Sequence, residues 1–415
     1  MNSSRSTRAA LLALAFLISA RSFPADLTLE RALVLADENH PALQAGTAQR
    51  QAAVAGITTA RAYANPEVSA LGGGQYYRVP ENVAGPVSWF AFSQPLELGK
   101  LRPTRIQLAE RGRDSSDQAY EVTRLGVLSM VRRNFFAVLR KKAELEILSE
   151  NLQLVEEFRK RIRVRVEVGE AGRLELIRAD SEVATARAAS NSSRLQQVVA
   201  LSQLRAAIGA SVEGDLAISG QLDPAIVLPP LDELRKEVAG RHPLLALAKF
   251  EVRRADARVA YEVAQKRPQP ALRVEYDRPP DTPTYRAGIV VPLPLWNKRE
   301  GQIAEAVAQT RQAAALVRGR EIELLAALES AYGRYQLATQ QLAAYEEGLI
   351  REAEEGLRAA ETAYRLGERG ILEVLDAQRT LRTVRLDLLN AQYDRQAALV
   401  DLDEARGVDP RRGQQ

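Results

Sequence analysis

The chain has 415 residues, with 57 basic and 53 acidic side chains, two histidines and no cysteine. The lack of cysteine excludes a disulfide framework, a thiolate metal site and a cysteine nucleophile. Two histidines leave almost no room for imidazole metal sites or acid–base catalysis, and aromatics at only 5% point to long helices rich in Ala, Leu, Glu and Arg.

The first segment reads as an export signal. Arg5 and Arg8 precede an apolar run from Ala9 to Ala20, too short to span a bilayer and followed by small residues. Residues 1–25 are assigned to it, with cleavage after Ser22 or Ala25. No cysteine stands near either cleavage point, so no lipid anchor is expected there. Removing that segment takes away Arg5, Arg8 and Arg21 and leaves 54 basic against 53 acidic residues. Such a balance gives no nucleic-acid footprint, and no nucleic-acid partner is expected.

Beyond the signal the chain reads as two copies of one plan. His40 in Asn39-His40-Pro41 and His242 in Arg241-His242-Pro243 stand 202 residues apart, each between two helical patterns. Leu366-Gly367-Glu368-Arg369-Gly370 repeats Val168-Gly169-Glu170-Ala171-Gly172 at an offset of 198. Repeat 1 is placed at 26–225, repeat 2 at 226–408 and a tail at 409–415. Both His-Pro pairs read as turns into a helix, with Pro at the first helical position, and not as metal ligands.

Repeat 1 has strands expected at about 67–79 and 86–96, then a long helix at about 104–168. A tip turn at 169–172 and a return helix to 208 complete it. Repeat 2 has strands expected at about 271–278 and 284–295 and a long helix at about 299–366. Its tip turn is at 367–370, and its return helix runs to 406. In the second strand pair Leu272, Val274 and Tyr276 alternate with Arg273, Glu275 and Asp277, the period of a strand with one apolar face. Scarce aromatics collect here: Tyr76, Tyr77, Trp89, Phe90, Phe92, Tyr276, Tyr285 and Trp296. The cluster fits an aromatic girdle at a membrane interface.

The second long helix carries a heptad seam that includes Leu324, Leu328, Leu342, Tyr345 and Leu349, which predicts one continuous coiled-coil helix. Gly169, Gly172, Gly367 and Gly370 mark the tips, where a helix stop needs left-handed backbone. Strands of about ten residues are long enough to cross an outer membrane, but four of them cannot close a barrel, so several chains would have to pool theirs. A soluble coiled-coil scaffold with a β head, or a periplasmic adaptor, are the readings of a different class. No phosphate loop, nucleophile elbow or His/Asp constellation supports an enzyme, and no cofactor is expected.

At this point the sequence resembles the TolC-type outer-membrane efflux proteins. The carriers are Leu27-Thr28-Leu29-Glu30-Arg31-Ala32-Leu33, Asn39-His40-Pro41, Asn65-Pro66, Ser93-Gln94-Pro95-Leu96-Glu97-Leu98-Gly99, Tyr364-Arg365-Leu366-Gly367 and Leu372-Glu373-Val374-Leu375-Asp376-Ala377-Gln378. The Ser-Gln-Pro-Leu-Glu-Leu-Gly stretch, with Lys100, Arg102 and Arg105 after it, is most like the heavy-metal (cobalt–zinc–cadmium) branch. The resemblance implies a mainly α fold with a small β part: a coiled-coil α-helical barrel forming a periplasmic tunnel, and a transmembrane β-barrel built from four strands per chain. It implies a homotrimer in outer-membrane lipid, docked to a periplasmic adaptor and an inner-membrane pump of the RND class. The cargo implied is divalent metal; the same duct could serve organic solutes or protein secretion. It further implies that Glu373 and Asp376 form carboxylate rings at the tunnel entrance. Arg369 in the second tip turn and Glu175 after the first would clamp that entrance shut.

Overall fold

The structure is a computed structural model describing residues 27–76, 83–209, 217–222, 226 and 228–411. The export signal, Tyr77 and the last four residues of the tail lie outside the described residues. The chain divides into two units, one of 1–39, 130–226 and 335–397, the other of 40–129, 227–334 and 398–415.

The element order is α1 (Leu29–Asn39), α2 (Pro41–Arg61), β1 (Glu67–Gln75), β2 (Gly85–Pro95), α3 (Leu101–Glu167), α4 (Arg173–Ile208), α5 (Leu231–Arg241), α6 (Pro243–Gln265), β3 (Ala271–Arg278), β4 (Thr284–Val290), α7 (Glu300–Ala344), a π-helical turn (Tyr345–Leu349), α8 (Ile350–Arg365) and α9 (Ile371–Arg406). Pro41 and Pro243 occupy first helical positions, where a missing N–H costs nothing. The histidine before each caps the helix: Nδ1 of His40 accepts from the Ala42 N–H, and that of His242 from the Leu244 N–H, both at 3.1 Å. Both His-Pro pairs are thus helix starts.

In the unit that holds the strands, β1-β2-β3-β4 form one antiparallel sheet in sequence order. The register puts Val68, Phe92, Val274 and Ala287 in one row and Ala70, Phe90, Tyr276 and Tyr285 in the next. Phe90 stacks on Tyr276 at 6.4 Å between ring centres, and Tyr276 on Tyr285 at 4.9 Å. Alternation assigns Trp89 to the opposite face, which separates it from that aromatic row. That face carries charge: Arg286 reaches Asp277 at 3.6 Å, Arg273 pairs with Glu275 at 2.7 Å, and the Arg273 guanidinium lies over the Trp89 ring. Strand β4 stops at Val290, short of the expected 295, because Pro292 and Pro294 cannot donate to a ladder. Trp296 therefore lies beyond the strand and is exposed.

The core of this unit is helical. Leu234 and Val238 of α5, Leu245 of α6, Leu324, Leu328 and Ala331 of α7, and Leu402 and Ala405 of α9 pack together. In the other unit Phe158 and Ile162 of α3, Ala179 of α4, Tyr364 of α8 and Ile371, Val374 and Leu375 of α9 make the corresponding cluster. The continuous second long helix expected from the heptads is interrupted. A π turn adds one residue to a helical turn and rotates the remainder of the helix by about 100°. The buried seam accordingly leaves Leu349, which is 42% exposed, and resumes at Leu357 and Tyr364.

Candidate functional site at the hairpin tips

Each long helix ends at a glycine in left-handed backbone, Gly169 at φ +81° and Gly367 at φ +76°. The following amide folds back to the last turn, Glu170 N–H to the Arg165 carbonyl at 2.8 Å and Glu368 N–H to that of Ala363 at 3.0 Å. These bonds satisfy end carbonyls and reverse the chain into α4 and α9.

Tyr364 is the residue that ties the two tips together. Its ring sits edge-on to Phe158 at 5.7 Å, under the guanidinium of Arg165 at 4.9 Å, and its hydroxyl donates to the Glu175 carboxylate at 2.8 Å. Burial, and then the bond to Glu175, push the Tyr364 hydroxyl up to about 12. The raised value means the contact is complete below the ordinary tyrosine pKa of 10.0 and is lost as pH rises through about 12. Across the physiological range the hydroxyl stays protonated.

Within one chain, Glu175 has a tyrosine as its partner. Arg369 is exposed, and among the described residues it makes no ion pair with Glu175 within the chain. Glu175 is held by the tyrosine instead, because Tyr364 packs one turn before the tip on the buried side of α8. Glu373 and Asp376 both project to solvent, while Val374 and Leu375 between them face the core. Their spacing leaves two carboxylates on one exposed face of α9.

A second ionic group supports the tips. Glu182 of α4 is only 5% exposed, and Arg379 of α9 grips it at 2.5 Å while Arg382 approaches at 3.6 Å. The bond to Glu182 holds the Arg379 guanidinium above its ordinary range. Arg159 of α3 pairs with Asp180 of α4 on the same hairpin. Among the described residues no group of three or more metal-ligating side chains converges.

A family model described as "Outer membrane efflux protein" matches the chain twice, over residues 32–210 and 234–408. The chain belongs to the outer membrane efflux protein family. Members of this family are conduits and not enzymes. The cobalt-zinc-cadmium resistance protein CzcC of Cupriavidus metallidurans is 26% identical, covering 92% of this chain and 90% of its own. The outer membrane protein TolC of Vibrio cholerae is 24% identical, with 90% and 89% covered. The solved structure of CusC, a transmembrane channel, superposes with a TM-score of 0.78 at 18% identity, covering 94% of both chains. This efflux protein therefore has the fold of the outer-membrane channels: long paired helices with a small antiparallel sheet.

Neither Tyr364 nor the Glu182–Arg379–Arg382 group was singled out as a site from the sequence, although Tyr364 lay inside a family motif. A signal existed for both. Tyr364 follows Leu357 by one heptad, and Glu182 sits among Ala179, Val183 and Ala186, where a charge demands a buried partner. Tyr364→Phe is expected to remove one hydrogen bond worth about 1 kcal/mol and to leave a half-buried carboxylate unpaired. Its readout is the open fraction of the channel, which should rise if this contact holds the tips together; an unchanged open fraction gives the contact no part in opening.

Proposed function

We propose that three copies of the chain close one β-barrel in the outer membrane and one helical tunnel through the periplasm. The duct conducts divalent metal cations passively outward from an adaptor and an inner-membrane pump of the RND class. Residues 1–25 deliver it by export, and the chain is organised as two repeats meeting near residue 225. The observation that carries this reading is the sheet: its apolar face runs through all four strands, and among the described residues its outer strands β1 and β4 each have one unpaired edge. An open edge with an apolar face is unstable in lipid unless another chain completes the ladder. The charged opposite face suits a wet lumen. Tyr285 and Phe90 face lipid in this arrangement.

The names of the relatives, cobalt–zinc–cadmium and nickel–cobalt–cadmium resistance proteins, support metal as cargo. At the periplasmic mouth, Glu373 and Asp376 from three chains would form two carboxylate rings that favour cations. The Tyr364–Glu175 bond holds the mouth closed until the adaptor docks, and Arg369 contributes from a neighbouring copy. Glu373→Gln combined with Asp376→Asn is expected to shift the reversal potential in a salt gradient toward that of a non-selective pore. An unshifted potential would exclude both residues from the selectivity ring.

The cargo is tested by deleting the gene and scoring growth against zinc, cobalt and cadmium salts beside a panel of hydrophobic drugs. Loss of metal tolerance, restored by the wild-type gene, is expected. Sensitivity to drugs alone would move the duct to organic-solute efflux.

A further inference from the structure

Between the helices of the tip-bearing unit lies a small recess of about 20 Å³, open on one side, bordered by Ile147, Asn151 and Leu154 of α3, Leu357 of α8 and Gln378, Leu381, Arg382 and Arg385 of α9. Asn151 is 9% exposed and Gln378 7%. Both side chains border the space, and each keeps a buried polar atom without a partner: Nδ2 of Asn151 and Oε1 of Gln378. An orphaned buried amide costs about 1–3 kcal/mol, so two on one cavity require a shared explanation.

We propose that this space holds one ordered water that accepts from Asn151 and donates to Gln378, joining α3 to α9 through a hydrated polar layer. The volume suits a single water, which needs roughly 10–15 Å³ of such room and two or more polar partners. Water is the ligand chemistry that fits either orientation of the Gln378 amide, since it both donates and accepts. An anion would leave Oε1 of Gln378 opposed to a like charge. The two arginines on the border are engaged outward: Arg382 with Glu182 of α4, and Arg385 with Glu354 of α8 at 3.0 Å and Glu150 of α3 at 3.7 Å. The layer thus links α3, α4, α8 and α9. A polar layer in a coiled-coil seam fixes axial register, because sliding by one turn separates the partners. This register point is independent of what the duct carries.

The test is a double-mutant cycle on the purified full chain in detergent, read as thermal midpoints. Asn151→Leu and Gln378→Leu should each lower the midpoint by several degrees, and the double variant should recover most of that loss because no orphan remains. Additive losses, or a neutral Asn151→Leu, overturn the proposal. If a variant does not fold, density from the wild-type protein at a resolution that shows waters decides. A peak within hydrogen-bond distance of both Asn151 Nδ2 and the Gln378 amide supports the water. An empty space, or an anomalous peak after a bromide soak, overturns it.

Discussion

Glu182→Ala is expected to destabilise the tip-bearing helices by about 3 kcal/mol, among the largest losses for a single side chain in this fold. Glu182 is buried on α4 and is the shared acceptor for Arg379 and Arg382 of α9. Removing it leaves two guanidinium groups without their counter-charge. Breaking a fully buried pair costs about 3–5 kcal/mol, and the lower end applies because Arg379 is half exposed and water screens it. The hydrophobic contacts beside it, Val183 and Ala186 against Val155, remain and keep the hairpin helical. Thermal unfolding followed by circular dichroism should show an earlier transition for Glu182→Ala and partial recovery in Glu182→Leu with Arg382→Leu. An unchanged midpoint would mean the arginines find water as readily as they find Glu182. Since α4 and α9 carry Glu175 and Glu373 at their starts, the same variant should also raise the open fraction of the channel.

Gly407→Ala should cost about as much at the other end of α9. Gly407 has φ +70°, and an added Cβ would stand 2.6 Å from Cδ of Pro243 and 3.2 Å from Cα of His242. The left-handed conformation alone costs an L-residue about 1–2 kcal/mol, and the overlap adds about 1–3 kcal/mol. Neither Pro243 nor the His242 backbone can yield. His242 is held by its own cap bond to Leu244, and its Nε2 contacts the Glu404 carbonyl at 3.0 Å. Just beyond the glycine, Asp409 receives Arg124 at 3.0 Å, so the chain end is pinned on both sides. Gly169→Ala is the internal control. It has a similar positive φ with nothing within 4 Å of the new methyl, so it carries the conformational cost alone. The difference in unfolding midpoint between the two variants isolates the contact with Pro243. Equal losses would show that the helix end can shift away from it.

The fold was legible where local rules and global packing agree. Period-two alternation fixed Leu272 to Asp277 as a strand, and the His-Pro pairs fixed two helix starts through a cap and a proline at N1. Glycine followed by a return pattern marked both tips. The π turn was not legible from heptads read forward, because Tyr345 and Leu349 are apolar at the expected spacing. It was encoded nonetheless: Leu342 to Leu357 is one residue longer than two heptads, and only the seam on both sides reveals the insertion. Trp89 stands apart from the Phe90–Tyr276–Tyr285 row for a related reason. Neighbours on a strand point to opposite faces, so aromatics close in sequence divide between the two sides of the sheet. At the tips, carboxylates and glycines could be placed by repeat and resemblance, but the partner of Glu175 could not. That Tyr364 faces Glu175 depends on which side of α8 is buried, and that side follows from the π turn's rotation.

Our proposal is a conduit that is closed at rest and latched by Tyr364. Single-channel recording of the purified full chain in planar lipid bilayers tests it most directly. Discrete cation-preferring steps are expected, small for the wild type and larger for Tyr364→Phe. Bilayers that stay silent with folded protein of either kind would contradict the account.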